Sequence, residues 1–168
     1  MDVYLVRHAI AERRDSERWP DDSIRPLTPE GIARFERAAR GLRRIVSTVE
    51  VVSASPHARA WETAEILRRD ARWPPPERCP ELEAEKPPSA GLEVLQRNAA
   101  RSSVALVGHE PYLSGLGSLL LAGDETEVSL ELKKGGVALP ALDAAARPGS
   151  ATLRWVATPK ILRMLAEG

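Results

Sequence analysis

VYLVRHAIAE, residues 3–12, carries four consecutive apolar side chains straight into an arginine and a histidine. The run is too short for a buried helix and too apolar for an exposed strand. Residues 2–7 are therefore expected to form a central strand of a parallel sheet. Arg7 and His8 then fall at the strand's carboxyl end, where open parallel sheets bind their ligands. A second run has the same shape: VALVGHEP, residues 104–111, passes from Val104–Val107 to Gly108 and His109. A third strand, VEVVSAS at 49–55, leads into Ser55-Pro56 and a helix bearing His57 and Arg59.

Between these anchors the chain alternates strands with helices. Thr28-Pro29-Glu30 is a helix start, with an N-cap residue, a proline in the first turn and an acid near the positive end. Ile32, Phe35, Ala39, Leu42 and Val46 recur at helical spacing, so 29–46 is expected to be a helix with one buried face. The opposite face carries Arg34, Arg37, Arg40 and Arg44. It reads foremost as a solvated face and second as a docking surface for an acidic partner. The charged stretch 11–27, broken by Pro20 and Pro26, is a loop, and so is proline-rich 72–90, with a short strand near Arg78–Pro80. Further helices are expected at 56–70, near 90–100 and from Pro111 to a stop at Gly123. Strands are expected at 103–108, 128–132, 136–141 and 151–157. Thr158-Pro159 opens a last helix with Ile161, Leu162 and Leu165 turned inward. This order predicts an α/β fold: a three-layer α/β/α sandwich with a mostly parallel central sheet.

The bulk composition narrows the function. The 168 residues suit one domain, taken as 1–168. Lys+Arg and Asp+Glu both number 24, so there is no global pull toward nucleic acid or anionic membrane, and any anion site has to be local. No apolar run approaches the roughly 20 residues of a membrane span. The one cysteine, Cys79, excludes an internal disulfide and fits a reducing compartment. With no leader-like start, the expectation is a cytoplasmic protein. Cys79 is expected to be inert, and Trp19, Trp61 and Trp155 to serve packing.

If the three strands are neighbours, two histidines and two arginines converge. Arginine forks hold phosphate oxygens and stay charged. A helix start beside them adds backbone donors for an anion. A histidine among cations has a lowered pKa, because its protonated form is repelled. Neutral at pH 7 and held against a phosphoryl group, it is a nucleophile. The constellation thus points to phosphoryl transfer through a phosphohistidine. Zinc on His8, His57 and His109 is disfavoured by the adjacent arginines, and no metal or cofactor is expected.

The motifs resemble those of the histidine phosphatase superfamily, whose fold is phosphoglycerate mutase-like. LVRHA is similar to its Arg-His-Gly signature, SPHARAWETA to its Ser-Pro-x-x-Arg-x-x-x-Thr, and LVGHEP to its Gly-His-x-Pro. Each is weak alone; together, in this order and spacing, they are specific. RPLTPEG and the final W…TP…L resemble the SixA-type phosphohistidine phosphatases. The resemblance implies that His8 takes the phosphoryl group, that Arg7 and Arg59 hold it, and that His109 hydrogen-bonds it. Arg25 would line the groove. His57 reads first as a solvent-facing rim residue and second as a substrate contact.

Two positions depart from the pattern: Ala9 stands for the usual glycine, and Ala84 stands where many members carry a general acid. Glu81, Glu83 and Glu85 flank that place as candidates. An imidazole leaves far more easily than an alkoxide, so the missing acid favours a phosphohistidine substrate over a sugar phosphate. The implied substrate is a phosphorylated protein such as a phosphotransfer domain. The alternatives are a small-molecule phosphomonoesterase, acting on a phosphosugar or nucleotide, and a non-catalytic phosphate-binding adaptor.

Overall fold

The computed structural model describes residues 1–167. Six strands form one sheet: β1 (Asp2–Arg7), β2 (Val51–Ala54), β3 (Glu77–Arg78), β4 (Ser103–Gly108), β5 (Val137–Leu142) and β6 (Ala151–Ala157). Their spatial order is β3-β2-β4-β1-β5-β6. The first four are mutually parallel; β5 pairs antiparallel with β1, and β6 pairs antiparallel with β5. Apolar runs without alternation occupy the centre because both faces of the sheet are covered. Tyr4, Val6, Ala105 and Val107 point to one core, and Val3, Leu5, Val104 and Leu106 to the other.

The first core lies under α1 (Pro29–Ile45), α2 (Ala58–Ile66) and α5 (Pro159–Glu167), and the second under α3 (Pro88–Arg97) and α4 (Tyr112–Ala122). This is the expected three-layer sandwich. Thr28 caps α1, its Oγ1 accepting the Gly31 N–H at 2.9 Å. The Thr28 N–H is bonded to the Ile10 carbonyl at 3.0 Å, so the helix start is tied to the segment that follows His8. Gly31 permits that approach: a Cβ there would stand 2.1 Å from the Ile10 oxygen. Leu42 on α1 and Leu162 on α5 are fully buried in the same core, each worth about 1.5–3 kcal/mol against exposure.

Several boundaries differ from expectation. Residues 128–132 form no strand, because their polar groups are engaged elsewhere: the Val128 N–H donates to Ser118 Oγ, and the Leu132 carbonyl accepts from Arg7. The 56–70 helix starts only at Ala58 and ends in a wider turn, Leu67–Ala71. Its N-cap is His57, not Ser55. On α5, Leu162 is fully buried and Leu165 packs partly buried, but Ile161 is 47% exposed, since 100° per residue turns it off the buried stripe. The 11–27 loop is closed by an Ala11–Leu27 bridge and contains a short helical turn, Asp22–Ile24.

The arginine face of α1 is largely neutralised. Arg34 pairs with Glu30 at 2.9 Å, Arg40 with Asp70 at 3.0 Å, and Arg37 with Glu167. Trp155 packs at 6.2 Å from Tyr4, and Trp61 lies under the Arg78 guanidinium at 4.1 Å. No helix among the described residues is long and apolar enough to cross a membrane.

Candidate active site

β4 lies between β1 and β2, so the three polar strand ends are adjacent. Arg7 pairs with Gly108 across the parallel ladder, and the His8 N–H donates to the Gly108 carbonyl at 3.0 Å. On the other side Ala54 pairs with Val107, and the Ser55 N–H donates to Val107 at 2.9 Å. The topology thus brings all 3 histidines of the chain together. The His8 and His109 ring centroids are 5.4 Å apart, and those of His57 and His109 are 5.0 Å apart.

Each ring is held by its neighbours. His8 Nδ1 lies 2.7 Å from its own following carbonyl, Ala9 O. A carbonyl only accepts, so the ring proton sits on Nδ1 and Nε2 keeps its lone pair. Ala9 is fixed in turn: its N–H donates to Thr63 Oγ1 at 3.0 Å, and that hydroxyl donates to the Arg59 carbonyl at 2.7 Å. The turn leading into β5 braces the strand end from the other side. Gly135, at φ +79°, shares its N–H between the Arg7 and His8 carbonyls, a conformation that favours glycine. His109 Nε2 lies 2.8 Å from Ser55 Oγ.

Burial drives the His8 pKa down to about 3, with the Arg59, Arg7 and Lys134 charges adding to it against the Ala9 hydrogen bond. Burial also takes His109 down to about 2, and Arg59 and the other histidines push the same way. Both imidazoles are neutral across the physiological range.

The pocket at the strand ends encloses about 260 Å³. Of the residues singled out from the sequence, Arg7, His8, Arg25, Arg59, Glu85 and His109 line it, together with Ala84. Arg14, Asp22, Glu110 and Lys134 also line it and were not anticipated. The first two come from the long loop and Lys134 from the turn before β5, whose paths no motif announces. Glu110 had a signal: it follows His109 directly, inside LVGHEP.

Among the described residues, seven buried side-chain polar atoms lack a partner, and five of them belong to this cluster: Arg7 Nε, His57 Nδ1, Arg59 Nε, His109 Nδ1 and Glu110 Oε1. Buried polar groups are otherwise paired, so such a concentration marks a ligand site. Four of the five are nitrogens beside arginine charge, which suits an anion.

The other candidates separate. His57 is buried, not solvent-facing, because its ring is covered by His109 and Glu85; its Nε2 is 3.8 Å from Glu85 Oε2. Glu81 is turned away, accepting from Arg97 Nη2 at 2.7 Å and from Cys79 Sγ at 3.3 Å. Burial pushes the Cys79 thiol up to about 12, leaving it protonated. Glu83 does not line the pocket; with His57 and Glu85 it brings donor atoms within 4.8 Å of one another on the rim. That grouping differs from the three-histidine set and stands next to arginines, which disfavour a cation.

Glu110 is a pocket carboxylate that holds its proton more tightly than usual. Burial raises its pKa, against a hydrogen bond from Ser114 and the charge of Arg7. Asp22 does the opposite. Its Oδ1 accepts from Arg25 Nε at 2.8 Å, its Oδ2 pairs with Arg59 Nη2 at 3.2 Å, and its carbonyl accepts from Arg59 Nη1 at 2.9 Å.

Known proteins resemble this chain to different depths. An uncharacterized protein of Picosynechococcus sp. is 34% identical over 139 residues, 82% of either chain. The solved protein histidine phosphatase SixA, complexed with tungstate, superposes with a TM-score of 0.84 at 27% identity, covering 96% of this chain and 99% of its own. The alpha-ribazole phosphatase of Shigella flexneri shares the fold at 16% identity, with a TM-score of 0.66 over 95% of this chain and 97% of its own. The family model of the histidine phosphatase superfamily, branch 1, matches residues 3–84, which hold β1, the long loop, α1, β2 and α2. With His8 and Arg59 both inside that match, and a fold shared along almost the whole length, the chain belongs to the histidine phosphatase superfamily.

Proposed function

We propose that the protein is a metal-independent phosphatase that removes the phosphoryl group from phosphohistidine in a protein. The observation that carries the mechanism is the His8 hydrogen bond to Ala9, which leaves Nε2 with a free lone pair in a cationic pocket. Nε2 attacks phosphorus, the bond to the leaving imidazole breaks, and a phosphoryl group is held covalently on His8. Arg7, Arg59 and His109 donate to the phosphoryl oxygens as charge moves onto them. Glu110, whose pKa is raised by burial, gives a proton to the leaving nitrogen from its acid form. As carboxylate it then takes one from the water that attacks the adduct, which restores both residues.

The phosphohistidine reading rests on the similarity to SixA, which this chain matches over 96% of its length. Glu85 at the pocket rim supports a second reading, a small phosphomonoester as substrate, because it sets another carboxylate near the leaving group. Rapid quench with ³²P-labelled substrate is the test. The wild type should yield labelled His8, and His8→Ala should neither label nor turn over while still binding tungstate. Turnover surviving in His8→Ala would overturn the mechanism. Comparing kcat/KM for phosphohistidine peptides with that for phosphomonoesters separates the two substrates.

A further inference from the structure

Beside the phosphate pocket lies a second, larger cleft of about 350 Å³. Ala9 and Ile10, which follow His8, form the wall nearest the site, and Lys134 lines both hollows. Phe35 and Pro159 give it an apolar floor, and its rim carries Arg34, Lys133, Lys134, Lys160 and Arg163 with no carboxylate in the lining. Glu30 pairs with Arg34 and Glu131 with Lys133 from outside the cleft. Among the described residues, no carboxylate lies within ion-pair distance of Lys134, Lys160 or Arg163. In a chain of zero net charge this is a local excess. Burial and then the Arg34 and Arg37 charges lower the Arg163 pKa, against the Glu167 carboxylate. Repulsion of this kind is relieved when an anion binds.

We infer that this cleft seats an acidic, partly apolar segment of the phosphorylated protein, with carboxylates on the Lys160–Arg163 rim and an apolar side chain on the Phe35–Pro159 floor. A phosphoryl group on His8 and a flank running past Ala9 and Ile10 would enter the two hollows from one chain. The apolar floor favours a peptide over a second phosphate group, which has no use for it. The inference rests on the phosphoprotein reading for its biological meaning, but the cleft can be tested without it.

The probe is a short, fluorescently labelled, unphosphorylated peptide of alternating glutamate and leucine, titrated by anisotropy at constant ionic strength. The wild type should bind it and should not bind its glutamine counterpart. K160E/R163E should raise Kd by about tenfold or more, the scale of reversing two partly exposed contacts. K160Q/R163Q should give a smaller rise, and serves if the reversal unfolds α5. Hydrolysis of para-nitrophenyl phosphate should be unchanged in both variants, since neither residue lines the phosphate pocket. Equal binding by wild type and variants, or by the glutamine peptide, would overturn the cleft, as would full displacement by inorganic phosphate. A second arm places phosphohistidine in glutamate-rich and neutral flanks. A lower KM for the acidic flank, lost in the variants, is the expected outcome. If neither peptide is hydrolysed while para-nitrophenyl phosphate is, the substrate reading fails and the binding arm still decides the cleft.

Discussion

Thr63 Oγ1 accepts the Ala9 N–H at 3.0 Å and donates to the Arg59 carbonyl at 2.7 Å. One hydroxyl thereby joins the peptide after His8 to the helix that carries Arg59. Ala9 also supplies the carbonyl that holds His8 Nδ1. Thr63 is a positioning residue, buried and out of the pocket lining. Thr63→Val keeps its shape and removes both bonds, leaving the buried Ala9 N–H unpaired at a cost of about 1–3 kcal/mol. The expected result is a lower kcat with KM little changed, and recovery in Thr63→Ser. A variant that loses stability but keeps full kcat would reduce Thr63 to a purely structural link.

The pH dependence of turnover separates the roles of His8 and Glu110. With a pKa of about 3, His8 stays unprotonated through the usual histidine range, so no acid limb is expected near pH ~6.5. Glu110 has to be protonated to serve a poor leaving group, so kcat should fall as pH rises through its elevated pKa. Glu110→Gln should abolish that basic limb. The loss in kcat should be about 10²-fold or more for an alkyl phosphate, by the usual scale of general acid catalysis, and far less for para-nitrophenyl phosphate. Equal losses on both substrates would remove Glu110 from the proton's path.

What could be seen in advance follows from how each residue is positioned. His8 and His109 were legible because an apolar run with an abrupt polar end reads as a central strand delivering that end to the ligand edge, and Arg59 because it lies in the first turn of the helix that follows such a strand. Glu110 was in plain view within LVGHEP, yet only its half-buried side chain, with Oε1 shielded and unpartnered, distinguishes it from a surface acid. Asp22, Arg14 and Lys134 were not legible, since loops place side chains by long-range contacts such as the Leu27 N–H to Glu62 bond of 2.8 Å. The missing strand at 128–132 has the same origin. Val128 and Leu132 are apolar at strand spacing, but Ser118 and Arg7 claim the segment's backbone groups before any ladder forms. The arginine face of α1 differs in kind: its partners Asp70 and Glu167 lie on elements whose docking no local pattern reveals.

Keeping two histidines buried and neutral makes the fold sensitive to acid. In the unfolded chain His8 and His109 titrate near pH ~6.5, but in the fold they do so only at about 3 and about 2. Between those values the unfolded state binds more protons, so stability is full above the unfolded pKa and falls as pH drops. Each histidine contributes up to about 1.4 kcal/mol per pH unit in that window. Urea unfolding between pH ~6 and ~5, where most carboxylates remain ionised, should show this slope. His8→Gln should reduce it by about one proton's worth. An unchanged slope would mean that His8 is protonated in the native state, and so not a nucleophile at that pH.

Asp22 engages Arg59, the arginine proposed to hold the phosphate. It engages Arg59 Nη2 and Arg25 Nε with its two carboxylate oxygens and Arg59 Nη1 with its carbonyl, leaving Arg59 Nε without a partner. The Arg25 hydrogen bond, with the charges of Arg59, Arg25 and Arg14, holds its carboxyl below the usual value, so it is an anion throughout the working range. Two consequences oppose each other: the carbonyl orients the guanidinium, and the carboxylate competes with the incoming phosphoryl oxygens. Asp22→Asn preserves the first and removes the second. Inorganic phosphate and vanadate should then bind more tightly, by about tenfold for one partly screened charge a few ångströms away. Where release of phosphate limits turnover, kcat should fall by a similar factor while kcat/KM holds. Phosphate inhibition constants that are unchanged or weaker in Asp22→Asn would show that the carboxylate positions Arg59 and does not compete for it.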